Sequence, residues 1–143
     1  TGFQSSGLAA WLAGKLKGLD SVSFIILLFA VSAMVNYLTE VTSNVATATI
    51  LLPILASIAI ALEVHPYALM IAATLSASCA FMLPVATPPN AVVFSTGYIK
   101  ISQMVRAGFF LNLISVVVIV LALWFLLPIV WDIDPKVLPE FAR

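Results

Sequence analysis

Leu83-Pro84-Val85-Ala86-Thr87-Pro88-Pro89-Asn90 stands inside an uncharged run covering 64–99, and the reading of this octet decides the fold. A membrane-crossing helix needs about 20 apolar residues. The run is too long for one crossing and too short for two with a turn. Each proline removes a backbone donor and clashes with the preceding turn. The residue before each proline is also pushed away from helical geometry. Three prolines between 84 and 89 therefore predict an open segment. We expect a half-helix over 66–83, extended chain over 85–89, and a second half-helix over 91–99 with Asn90 as its N-cap. Open backbone at membrane depth is tolerated only where it is buried in protein or lines a cavity.

The membrane setting follows from composition. Of 143 residues, 63% are hydrophobic and 8% charged, and mean hydropathy is +1.19. Soluble domains carry about 25% charged residues, so the polar surface needed to face water is missing. Six basic and six acidic residues give no net charge, which excludes a nucleic-acid partner that binds by counterion release. One cysteine (Cys79) and one histidine (His65) exclude disulfide scaffolds, zinc clusters and haem attachment. A Ser–His or Cys–His catalyst would have to use His65, and no G-x-S-x-G elbow exists. Glycines scattered at 2, 7, 14, 18, 97 and 108 form no phosphate loop. The chain reads as a polytopic membrane protein and not an enzyme, with the lipid bilayer as its solvent.

Three further uncharged stretches cover 21–39, 41–62 and 107–131. The last suits a single crossing, with Trp124 and Trp131 and then Asp132 near one interface. The first two flank a polar knot, Thr39-Glu40-Val41-Thr42-Ser43-Asn44. Two full spans or one re-entrant hairpin are both compatible with it. Ala46, Ala48, Ala56, Ser57, Ala59 and Ala61, together with Pro53, favour a hairpin packed on other helices. The opening residues lack a signal-peptide layout, because Lys15 and Lys17 follow the apolar stretch; the expectation is a piece of a longer chain. The expected organisation is an all-α membrane protein. Residues 1–18 end a preceding helix or connector, and 19–62 form a re-entrant hairpin with tip 39–44. Residues 63–100 form a discontinuous helix broken at 84–90, and 101–143 a terminal transmembrane helix with a short tail.

Asn44 opens the second hairpin leg and Asn90 the second half of the broken helix. Helix N-termini direct unpaired N–H groups and the positive dipole end at whatever faces them. Two such ends facing one cavity make an anion site without arginine. The hydroxyls of Thr39, Thr42, Ser43 and Thr87 would add donors. Carbonyls of Thr39, Thr42 and Ala86 would suit a small hard cation such as Na⁺, a combination common in carriers. On residues alone, an ordinary polar loop and a packing kink remain equally open.

The two segments, Thr39-Glu40-Val41-Thr42-Ser43-Asn44 and Val85-Ala86-Thr87-Pro88-Pro89-Asn90-Ala91-Val92-Val93-Phe94, resemble the divalent anion/sodium symporter family. These are sodium-coupled carriers of dicarboxylates, citrate and sulfate. The resemblance runs from the Ser6–Ala9 region through the last span and matches the C-terminal part of a protein several times longer. It implies the second of two inverted repeats, each a re-entrant hairpin facing a broken helix. It implies substrate contact at Ser43, Asn44, Thr87 and Pro88. It implies a sodium site at Thr39, Thr42, Asn44 and Ala86. Where the family's motif has threonine this chain has Val45, which keeps only its backbone N–H for substrate. The resemblance further implies a homodimer with its interface largely elsewhere, dependence on the remainder of the carrier, and a cytoplasmic loop 100–106.

Other residues receive plainer expectations. Glu40 would repel an anion, so it is expected to bond backbone or hydroxyl groups rather than relay protons. His65 is expected in an interfacial loop, Cys79 in packing. Phe109, Phe110, Trp124 and Phe125 form a lipid-facing or packing set. Two competing functions remain: a proton- or sodium-coupled antiporter or oxyanion carrier of similar fold, in which Glu40 would matter, and a truncated, non-transporting membrane subunit.

Overall fold

The computed structural model describes residues 23–142; the expectations for 1–18, Lys15, Lys17 and Asp20 lie outside the described residues. Within them the chain is all-helical, with no strand: α1 (Phe24–Leu38), α2 (Asn44–Ala61), α3 (Pro66–Ala77), α4 (Pro88–Ser95), α5 (Ile101–Trp131) and a closing 3₁₀ turn (Glu140–Ala142). At about 1.5 Å per residue, α2 and α5 are long and apolar enough to cross a membrane. Helices α3 and α4, of 12 and 8 residues, are each too short to cross.

Local chemistry sets most boundaries. Ser43, with extended backbone, starts α2. Glu63 takes a left-handed φ of 56° after it and turns the chain into α3. There Pro66 occupies the first helical position, where a missing N–H does no harm, and the Nδ1 of the N-cap His65 accepts from the Tyr67 amide. The Gln103 side chain accepts the Lys100 amide at 2.9 Å where α5 begins.

Three boundaries differ from the sequence expectation. The first half-helix ends at Ala77 rather than near 83. Residues 78–83 contain no helix breaker; groups on the neighbouring α1 segment take over their backbone bonds instead, as described below. The second half-helix starts at Pro88 with Thr87, not Asn90, as its N-cap. Two prolines fit the first turn because its amides have no intrahelical partner. That helix ends at Ser95 rather than 99, and Gly97 follows at φ 76°.

Helix α3 is the hub of the packing. It lies against α1, α2 and α5, whereas α1 and α2 lean on α3 far more than on each other. Its buried face is Ala68, Leu69, Ala72, Ala73 and Ala77, meeting Leu28, Val31 and Val35 of α1, Leu55 and Ala59 of α2, and Leu123 and Leu127 of α5. Between helices surrounded by lipid, small residues let backbones approach and dispersion replaces the hydrophobic drive. The opposite face of α5 exposes Phe110, Ile114, Val118, Phe125 and Ile129, as a lipid-facing helix does. Phe24 packs on Trp124 with ring centres 6.3 Å apart, and Tyr37 on Phe109 at 5.8 Å.

Candidate functional site

The α1–α2 connection and the α3–α4 break line one cleft of about 450 Å³. Its walls are Val41, Thr42, Ser43, Asn44 and Val45 from the tip, and Val85, Ala86 and Pro88 from the break. Thus six of the residues singled out from sequence, Thr42, Ser43, Asn44, Val45, Ala86 and Pro88, meet there. Thr39 and Thr87 do not line it. Thr39 is fully buried beneath the tip, and its one hydroxyl proton is shared between Asn44 Oδ1 and the Ala77 carbonyl. It therefore fixes the Asn44 side chain and joins the tip to the broken end of α3. The Thr42 hydroxyl is also engaged, donating to the Leu38 carbonyl at 2.9 Å and pairing with Thr47.

The two helix starts are unequal. Ser43 makes no side-chain cap bond, and the first amides of α2, from Asn44 to Ala46, have no partner among the described residues. At α4, Pro88 and Pro89 have no N–H to offer. The Asn90 amide is taken by Thr87 Oγ1 at 3.4 Å and the Ala91 amide by the Thr87 carbonyl at 3.2 Å. Asn90 itself turns away from an anion-binding position. Its Nδ2 donates to the Ala80 and Leu83 carbonyls, both at 3.0 Å. The expectation of bare amides around position 90 is corrected accordingly: free N–H groups come from α2, while α4 adds only its dipole.

Oxygen acceptors are present as well. The carbonyls of Thr39, Thr42 and Ala86 accept no hydrogen bond among the described residues. Thr42, Ala86 and Asn44 line the cleft and offer neutral oxygens, the donor type a hard cation takes; Thr39 does not line it. No cluster of three His, Cys, Asp or Glu exists among the described residues.

Beneath the cleft, Glu40 is 3% exposed, and both its oxygens accept. Oε1 receives the amides of Phe81 at 2.8 Å and Met82 at 2.9 Å; Oε2 receives Met82 and Leu83, both at 3.1 Å. Asn112 of α5 donates to Oε1 at 2.6 Å, and its Oδ1 accepts the Phe81 amide at 3.2 Å. One turn earlier on α5, a Cβ on Gly108 would lie 2.3 Å from the Phe81 oxygen; no side chain fits between helix and loop. From α1, Asn36 Nδ2 donates to the Ser76 and Cys79 carbonyls. Side chains of the 36–40 segment thus replace the helical partners of 76–83, which is why α3 ends early. The expected structural role of Glu40 agrees with these bonds.

Residues 1–131 match the family described as the sodium:sulfate symporter transmembrane region. The chain belongs to the sodium:sulfate symporter family. It is 52% identical over 133 residues to the sodium-dependent dicarboxylate transporter SdcS of Staphylococcus saprophyticus and 51% identical over 133 residues to SdcS of Staphylococcus aureus. These alignments take in 93% of this chain and 26% of each relative. The chain therefore spans about a quarter of the length of these relatives and is a membrane-embedded segment of transporter type. In this segment, Asn112 and Gly108 were missed by sequence reasoning. The available signal was a small residue and an amide four apart on one face of an otherwise apolar helix.

Proposed function

We propose that this segment belongs to a sodium-coupled carrier of small dicarboxylates or related divalent anions, to which it contributes one half of the cargo site. In this reading 24–61 is a re-entrant hairpin, 66–95 a broken helix, and the pair forms the second inverted repeat of a longer protein that works as a dimer. The relatives' names, sodium-dependent dicarboxylate transporter, support the substrate class. The observation that carries the reading is the shared cleft, lined both by residues at the start of α2, whose first amides are unpaired, and by Thr42 and Ala86, whose carbonyls are unpaired.

The mechanism follows from that pairing. A carboxylate of the substrate accepts from the Asn44–Ala46 amides and the open Ser43 hydroxyl. Sodium takes the carbonyls of Thr39, Thr42 and Ala86 and the Asn44 amide oxygen. Because Asn44 belongs to both sets, filling the cation set orders the tip that the anion meets, and the two cargoes bind with positive coupling. Sodium also offsets the charge of a dianion in a low-dielectric site. Glu40 stays out of the cargo chemistry: its oxygens are occupied by loop amides and Asn112.

Val45→Pro in the full-length carrier tests the amide set. It deletes one N–H at a first-turn position, where α4 already carries proline. A hydrogen bond to a charged group contributes about 1.5–3 kcal/mol, so the apparent affinity for succinate should fall at least tenfold, with membrane insertion unchanged. Unaltered affinity would remove the α2 amides from the site.

A further inference from the structure

Val85, Ala86 and Pro88 form the wall that the α3–α4 break gives to the cleft. Residues 84–86 turn there outside any helix, so the wall keeps its shape through the bonds made at its two ends. The Leu83 carbonyl accepts the Ala86 amide at 3.1 Å and Asn90 Nδ2 at 3.0 Å. The second Nδ2 hydrogen goes to the Ala80 carbonyl, also at 3.0 Å. Thr87 Oγ1 accepts the Asn90 amide at 3.4 Å, which closes a ring over 83–90. Below the ring, Glu40 Oε2 accepts the Leu83 amide at 3.1 Å. Leu83 is thus gripped from both sides, its amide by Glu40 and its carbonyl by Asn90.

Within 88–90 no backbone group can make the link that the Asn90 side chain makes. Pro88 and Pro89 have no N–H, and the Asn90 amide is already spent on Thr87. Facing two carbonyls, the carboxamide presents its NH₂ to them, and both hydrogens are used. Asn90 does not line the cleft. We propose that Asn90 is a positioning residue for the Ala86 carbonyl: acting through Leu83, it sets the place of that oxygen in the proposed cation set without touching cargo. The inference rests on the sodium-coupled reading above and adds to it the residue that steadies the break's oxygen donor. Binding groups work when held within about 0.5 Å of their productive positions. Loss of the carboxamide frees the corner from α4 while the Ala86 oxygen itself remains, so sodium binds more weakly but the loaded carrier still works.

The test is sodium-driven succinate uptake by the full-length carrier in proteoliposomes. Initial rates are taken across sodium concentrations for wild type, Asn90→Ala and Asn90→Ser. Groups that hold metal ligands in place change affinity about 10–100-fold in tight sites; for neutral oxygens, Asn90→Ala should raise half-saturating sodium about three- to tenfold. The maximal rate per inserted carrier should fall by a smaller factor, and Asn90→Ser, which keeps one donor, should lie between. A merely structural role lowers melting temperature and maximal rate but leaves half-saturating sodium where it was; that result overturns the proposal. So does failure of both variants to fold into the membrane, which would make Asn90 a folding determinant. Wild-type uptake that needs no sodium would refute the sodium-coupled reading, and the proposal with it. Sodium-dependent wild-type uptake with an unmoved variant refutes the positioning role alone.

Discussion

Replacing Gly108 with alanine sets two magnitudes of opposite sign against each other. Alanine in a helix interior is favoured over glycine by about 1 kcal/mol, so a view of α5 as a free lipid-facing helix predicts stabilisation. The geometry predicts loss. The added Cβ would lie 2.3 Å from the Phe81 oxygen, 2.5 Å from its carbonyl carbon and 2.6 Å from the Met82 Cα, and all three are backbone atoms. Reaching ordinary contact requires helix and loop to part by about 1 Å. That separation would break the 3.2 Å bond from the Phe81 amide to Asn112 and strain the Asn112–Glu40 bond. Overpacking costs about 1–3 kcal/mol, and two weakened hydrogen bonds add about 0.5–1.5 kcal/mol each. After subtracting the helix gain, Gly108→Ala should destabilise by about 1–5 kcal/mol. Thermal unfolding of the purified full-length carrier reads this directly, and sodium-driven succinate uptake should fall alongside it. A variant melting at or above the wild-type temperature would refute the close approach of α5 to the loop.

Glu40→Gln places an NH₂ group against loop amides that need an acceptor; the loss should be about 2–4 kcal/mol, measured by thermal unfolding, and a wild-type melting temperature would contradict it. Asn44→Ala removes an oxygen shared by the tip bond and the proposed cation set, so the sodium concentration for half-maximal uptake should rise several-fold while surface expression holds; an unchanged sodium dependence would exclude Asn44 from that set. Burial pushes the His65 imidazole below its ordinary value of 6.5. The unfolded chain therefore binds the extra proton more readily. The stability contribution of neutral His65 is present above about pH 6.5 and declines as pH falls below it. His65→Gln should flatten the dependence of melting temperature on pH between roughly 5 and 7, and an unaltered slope would show that His65 does not carry it.

The architecture was readable where single residues dictate local backbone. Pro84, Pro88 and Pro89 announce the break, Ser43 the start of α2, and the apolar run after 107 the long final helix. Reading stopped where remote side chains set local structure. Nothing in 78–82 forbids a helix; Asn36 and Glu40, some forty residues away, take its backbone groups, and a pattern confined to the segment cannot show that. For the same reason Asn90 read as a cap facing the cleft. Its partners, Ala80 and Leu83, become available only once α3 has ended. In sequence Gly108 is only one of several scattered glycines, because its significance is a backbone crossing absent from the linear order.

Because α1 and α2 both rest on α3 and hardly on one another, the tip has no private hinge. Peeling either leg aside would strip its contacts with α3 and pull Thr39 from the Ala77 carbonyl. Under the proposed function, a displacement that exposes the cleft is therefore expected to carry α1, α2 and α3 together rather than lift one leg.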